Sequence, residues 1–291
     1  MSGSIIPMDR AHRLLRKARP YLTDLAHFLT DTKTAVSVLL DAMPHADRPT
    51  LLTMIPLVGY GGRDRALLPL YRLMLENIGD ESIRTAAAVQ LGVAASLSME
   101  VNDIRTRLIV DLDHADSRIR CACSLALGWE GNTAAADVLL NHLTDPDGDV
   151  QAAVVTALAS LGDPALFSRL THCMPTAAVD VRRSILLNLW RFQDRVEQVE
   201  KWYIDTLPTI EAALRQDLLD GLAMLTLSPA ILDLYRTLLD DPDPRIRRQV
   251  LENLLANDAA ALRPLMPIFH RHAMDQDPGV RRAAIRLLNN R

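Results

Sequence analysis

Aromatic residues are scarce in this 291-residue chain: Phe, Tyr and Trp together make up 4% of it, although 49% of the residues are hydrophobic. A core built without large rings, from Ala and Leu, suits closely spaced helices, because these side chains cost little in helix formation. Cysteine is also sparse. Three cysteines cannot all pair, and a chain of this length has no need of disulfide staples, which points to a reducing, cytoplasmic compartment. There is no excess of basic residues. The formal charge of −4 argues against a protein whose main task is to neutralise phosphates, so nucleic acid is not an expected partner. Long apolar runs are missing as well. Met1 to Met8 does not read as a secretory signal, and Thr85 to Met99, among the longest uncharged stretches, falls short of the roughly 20 apolar residues of a membrane span.

What the chain does contain is a repeat. Pairs at Ile83-Arg84, Ile119-Arg120, Val150-Gln151, Val181-Arg182, Leu214-Arg215, Ile246-Arg247 and Val280-Arg281 follow one another at intervals of 36, 31, 31, 33, 32 and 34 residues. Seven positions after the second residue of each pair stands a leucine: Leu91, Leu127, Leu158, Leu189, Leu222, Leu254 and Leu288. The columns three and four positions on are mostly apolar, from Ala87-Ala88 and Cys123-Ser124 to Ala284-Ile285. Positions −1, +3, +4 and +7 form one stripe of a 3.6-residue helix, which predicts a buried face. Turn chemistry precedes each such helix, as in Asp145-Pro146-Asp147-Gly148 and Asp241-Pro242-Asp243-Pro244, where Asp caps free N–H groups and Pro fits a first helical turn. Another helical stripe lies upstream of each turn, so the unit is helix, turn, helix. A more degenerate copy fits at Thr50-Leu51, with Met54, Ile55, Val58 and Gly59 in its columns.

Residues 145–164, Asp-Pro-Asp-Gly-Asp-Val-Gln-Ala-Ala-Val-Val-Thr-Ala-Leu-Ala-Ser-Leu-Gly-Asp-Pro, resemble the short HEAT-like repeats of the phycobilin-lyase type, and Asp277 to Leu288 looks similar. The resemblance covers about 240 residues. It implies an all-α, right-handed α-solenoid of about eight helical hairpins over residues 46–291, with capping helices in residues 1–45. It also implies that the second helix of each hairpin lines a concave face.

Positions +1, +5 and +9 of that helix lie opposite the core stripe and should face the groove. They are Thr85, Val89 and Val93; Cys121, Leu125 and Trp129; Ala152, Thr156 and Ser160; Arg183, Leu187 and Arg191; Gln216, Asp220 and Met224; Arg248, Glu252 and Ala256; and Arg282, Arg286 and Asn290. The candidate partner-binding groove is therefore Val89, Val93, Leu125 and Trp129 at its apolar end, and Arg183, Leu187, Arg191, Arg248, Arg282 and Arg286 at its basic end. Trp129 is the expected apolar anchor. The Arg that opens each second helix is expected to pair with a turn aspartate, among them Asp80, Asp116, Asp180, Asp243 and Asp277, instead of offering a phosphate clamp.

Catalytic and metal sites are not expected. Cys121 and Cys123, like His270 and His272, stand two apart on a helix and point to different sides. Iron-binding HEAT hydroxylases use His-Glu pairs, and no His-Glu dipeptide occurs. HEAT-like DNA glycosylases need a basic concave face, against which the acidic balance weighs even with Trp190 and Asp220 at hand. Gly59-Tyr60-Gly61-Gly62 lacks the Lys-Ser or Lys-Thr of a phosphate loop and reads as a helix end. Arg10 to Arg19 form a short basic helix, read as a solvated cap. The expectation is a non-enzymatic scaffold or adaptor that binds a protein or peptide on its concave surface, with no cofactor. The alternative is a bilin-lyase-like accessory factor acting on a cofactor-bearing client.

Overall fold

The computed structural model describes residues 8–289; the N-terminal segment 1–7, and Asn290 of the last groove column, lie outside them. No strand occurs among the described residues. By backbone contact the chain divides into two compact units, Met1–Leu166 and Phe167–Arg291.

The first unit holds α1 (Met8–Thr23), α2 (Leu25–Thr30), α3 (Thr32–Ala42), α4 (Arg48–Gly62), α5 (Asp64–Glu76), α6 (Glu81–Ser96), α7 (Asn102–Val110), α8 (Ser117–Glu130), α9 (Ala136–Asn141) and α10 (Gly148–Ser160). Helix α11 (Pro164–Cys173) leads into the second unit, which holds α12 (Val179–Asn188), α13 (Val196–Thr206), α14 (Arg215–Ala223), α15 (Pro229–Leu238), α16 (Pro244–Leu254), α17 (Ala259–Leu262), α18 (Met266–His272) and α19 (Pro278–Asn289).

Each unit is a solenoid-type stack of hairpins. In the first, α5 packs on α6, α7 on α8 and α9 on α10, while α4, α6, α8 and α10 pack in succession as a layer of second helices. In the second, α13 packs on α14, α15 on α16 and α18 on α19, and the layer runs α12, α14, α16, α19. The cause is the stripe of four columns. Ile83, Ala87, Ala88 and Leu91 of α6, and their counterparts in every later second helix up to α16, are buried. In the last helix Val280 and Ala284 are buried, but Ile285 is 43% exposed and Leu287 takes the place in the core predicted for Leu288.

Glycine sets the spacing of the first layer. A Cβ on Gly92 would stand 2.5 Å from the Ala126 carbonyl oxygen, and one on Gly128 would stand 2.5 Å from Ala157 Cα. Both glycines occupy the position after the repeated leucine, so α6, α8 and α10 approach nearly backbone to backbone. Such close approach suits a core poor in rings and rich in small side chains.

The helix starts follow the turn chemistry. Asp80, Asp116, Asp147, Asp243 and Asp277 each accept a hydrogen bond from a backbone N–H two or three residues on. Three of them also hold an arginine, Asp80 with Arg48, Asp116 with Arg118 and Asp243 with Arg245, while the opening arginines pair elsewhere. Arg120 meets Asp145, Arg247 meets Asp275, Arg215 stands 3.9 Å from Asp241, and Arg182 meets Glu211. Asp145, Asp241 and Asp275 precede the capping aspartates by two residues and accept their N–H groups at 2.8–2.9 Å. Arg120, Arg215 and Arg247 thus pair with the first acid of a turn in place of the second, whereas Arg84 donates to the Ile78 carbonyl and Arg281 to those of Asp275 and Gln276. Gln151 reproduces the bond to its own turn, donating to the Asp145 carbonyl at 2.6 Å, and being neutral makes no ion pair.

Candidate partner-binding site

The +1 and +5 columns of three successive repeats meet in the first unit. Thr85 of α6, Cys121 and Leu125 of α8, and Ala152 and Thr156 of α10 line one open cavity of about 540 Å³. Ala122 and Ala153 line it too, and the first turns of the same helices add Glu81 and Arg84, Ser117 and Arg118, and Asp149. A neighbouring cavity of about 580 Å³ is lined by Pro56 of α4 and by Glu81, Ser82, Thr85, Ala86, Val89 and Gln90 of α6. Successive second helices thus leave shallow furrows between them, floored by the small side chains that the helix spacing demands.

Of the sequence-derived site residues in this unit, Val89 and Leu125 line these furrows. Val93 and Trp129, one turn further along the same helices, are not among the lining residues of either. Trp129 is 42% exposed at the end of α8, its Cβ against Gly92. The N-terminal helices do not bury it.

The polar edge was invisible as such in the sequence, because those positions read as helix caps and starts. Arg118 holds Asp116 at 2.6 Å, and Arg84 donates to the carbonyl of Ile78. Ser117 together with the first N–H groups of α10 holds the Asp147 carboxyl below the usual range. Glu81 and Asp149 are exposed. Cys121 is half-buried in the furrow; burial, then Asp147 and Asp149, push its thiol up to about 11, against the pull of Arg84 and Arg120. Cys123 faces the core, where burial raises its thiol well above the ordinary value. His270 is exposed and His272 buried, so neither pair presents two ligands to one point.

In the second unit two of the five arginines at the basic end of the predicted groove stand against acids. Arg183 pairs with Asp217 at 3.1 Å and Asp180 at 3.4 Å, and Arg248 stands 3.8 Å from Glu252. Arg191 lies 4.8 Å from the Trp190 ring and donates to Asn188, its charge disfavoured by burial. Leu187 and Met224 are exposed, and so are Arg282 and Arg286. Burial raises the Asp220 carboxyl, with Asp217 and Glu252 adding to the effect. This part of the surface thus sets arginines among acids, Asp217, Asp220 and Glu252.

Comparison with known proteins places the repeat. The HEAT-repeat family model matches residues 106–190. No curated protein matches the chain by sequence. Among solved structures, the chain is similar to one in the complex of CpcE and CpcF of phycocyanin lyase from Nostoc sp. PCC7120, at 15% identity and a TM-score of 0.40, over 87% of this chain and 94% of that one. The expectation that the chain is not an enzyme is corrected by this finding, since the similar structure is that of a phycocyanin lyase. A likeness so distant carries no activity across. No helix among the described residues is long and apolar enough to cross a membrane. Residues 106–190 thus match HEAT repeats, in an all-α chain whose other second helices follow the same columns.

Proposed function

We propose that this chain is a helical-repeat scaffold that holds a segment of a partner protein on its layer of second helices, with the furrow along α6, α8 and α10 as the docking site. One observation carries the reading: side chains from three successive repeats, Thr85, Cys121, Leu125, Ala152 and Thr156, converge on one open cavity. Stacked rigid repeats present such a surface with little ordering cost on binding. Val89, Val93 and Trp129 would extend its apolar character, with Trp129 as anchor. Arg183, Leu187, Arg191, Arg248, Arg282 and Arg286 are the corresponding candidates in the second unit.

A second reading is a bilin-lyase-like accessory factor acting on a cofactor-bearing client. The same cavity favours it. Its volume falls within the range of about 300–1,000 Å³ common for small-molecule sites, and it sets Arg84 and Arg118 beside Leu125 and Ala152. A bilin, apolar along its pyrroles and carrying carboxylates, suits that combination.

The test compares the native protein with Leu125→Asp and Trp129→Ala variants of unchanged helicity. Each is used for affinity capture from source-cell lysate and in absorbance titration with a bilin. A partner lost with Leu125→Asp supports the docking site, and a bilin spectral shift lost with the same variant supports the second reading. Unchanged capture and a flat spectrum would remove the furrow from consideration.

A further inference from the structure

Helix α1 concentrates positive charge that neither the furrow nor the repeat architecture uses. Arg10, Arg13, Arg16, Lys17 and Arg19 fall within residues 10–23, a stretch with no acidic residue, in a chain whose formal charge is −4. The charge is thus local and not a reflection of overall basicity. Ala18 is fully buried where α1 packs on α3, with Leu14 and Leu15 half-buried beside it. At 100° per residue, Arg13, Arg16, Lys17 and Arg19 fall about 100° or more from Ala18, in the sector away from that apolar side, with Arg10 on its flank. Arg10, Arg16, Lys17 and Arg19 are exposed.

The segment that follows exposes apolar groups. Tyr21 of α1 stacks on His27 of α2 with ring centroids 4.8 Å apart, tying the two helices together. Leu25 and Leu29, one turn apart on α2, are 62% and 53% exposed, while Phe28 between them is buried. Phe28 meets the end of α4, where a Cβ on Gly61 would stand 2.9 Å from the Phe28 ring. Next to Gly61, Tyr60 is 63% exposed, and Arg63 follows, also exposed. Large apolar side chains therefore project around one packing point, beside a cationic helix.

We infer that this N-terminal face docks on an anionic lipid surface, with the α1 cations at the headgroups and Leu25, Leu29 and Tyr60 entering the boundary of the acyl region. Cations alone would suit any polyanion. Projecting leucines and a tyrosine suit a medium that is apolar just beneath its charged surface, and a nucleic acid backbone offers them nothing. Peripheral binding of this kind scales with the apolar area buried and with attraction to anionic lipids, and this face offers both.

The experiment is co-sedimentation of the full chain with vesicles of phosphatidylcholine alone or with one-third phosphatidylglycerol. The expected result is binding to the anionic vesicles only. That binding should weaken about tenfold or more in Arg16→Glu/Lys17→Glu, and weaken again in Leu25→Gln/Leu29→Gln of unchanged helicity. Raising salt from about 0.1 M to about 0.5 M should also weaken it. Absence of binding to anionic vesicles at low salt would overturn the inference, and so would binding that survives the charge reversal. Binding indifferent to the leucine substitutions and matched by a single-stranded oligonucleotide would assign the surface to polyanions and overturn it equally.

Discussion

The Arg247 guanidinium straddles the Asp275 carboxylate, with Nε 3.0 Å from one oxygen and Nη2 2.8 Å from the other, while Nη1 donates to the Asp241 carbonyl of its own turn at 2.8 Å. Arg120 makes the same arrangement with Asp145 and the His114 carbonyl, every distance 2.8 Å. One side chain thereby joins the turn that starts its helix to the turn of the next repeat. Arg247 and Asp275 keep only 16% and 11% side-chain exposure, so Arg247→Ala would leave a shielded carboxylate without its counter-charge and the turn carbonyl without a donor. The expected loss is about 3 kcal/mol, read from urea unfolding followed by helicity. A loss below about 1 kcal/mol would class the pair with ordinary surface pairs.

The same clamps predict acid sensitivity. Arg120 beside Asp145, and Arg247 beside Asp275, hold both carboxyls below the usual carboxylate range. In the unfolded chain they return to about 3.9. Because the folded values are the lower ones, the unfolded chain binds more protons in acid. The contribution to stability is then complete above about pH 5 and is lost as pH falls through the folded values. Urea midpoints measured between pH 6 and pH 3 should fall, and Asp275→Asn should flatten the part of the slope that belongs to this pair. Identical slopes for the two proteins would contradict the assignment.

Close approach between α8 and α10 predicts a strong effect at Gly128. Gly128→Ala places a methyl group 2.5 Å from Ala157 Cα, a backbone atom that cannot turn aside. The gain in helix propensity, about 1 kcal/mol, is outweighed by overpacking that costs about 1–3 kcal/mol or more. Thermal unfolding should show a lower midpoint for Gly128→Ala, whereas a raised midpoint would mean that the layer relaxes freely.

Cys121 should be slow to alkylate. With its thiol pushed up to about 11 by burial and by Asp147 and Asp149, the thiolate fraction at pH 7.5 is on the order of one in a thousand or less. The rate of reaction with iodoacetamide should climb as pH approaches 11, and Cys123 should stay unreacted until the chain unfolds. An occupant of the furrow should slow Cys121 further. Rapid modification at neutral pH would show that the furrow does not shield the thiol as described.

Much of the fold was legible because burial in a stacked hairpin imposes one period on many copies. Ile119, Cys123, Ser124 and Leu127 are buried together, and the spacing alone identified all four, including a serine that no hydropathy scale would place inside. The columns also brought Leu125 and Cys121 to the furrow. They did not identify its polar edge, since Glu81, Arg118 and Asp149 look in sequence like helix starts. Nor did they show which aspartate answers each arginine: Asp145 and Asp147 are both plausible until the capping bonds to Asp149 and Val150 claim the second.

The repeat, the helix pairs and the buried stripe were determined by the sequence by itself, because they depend on local periodicity and turn chemistry, which neighbouring residues carry. Only the tertiary structure decided that Arg183 is engaged by Asp217, that Trp129 stands partly in solvent, and that Leu25, Leu29 and Tyr60 project near one packing point. Such relations join residues far apart in the chain, or set by the lie of one side chain against another helix. No column of a repeat encodes them, because each depends on distances that exist only once the helices have packed.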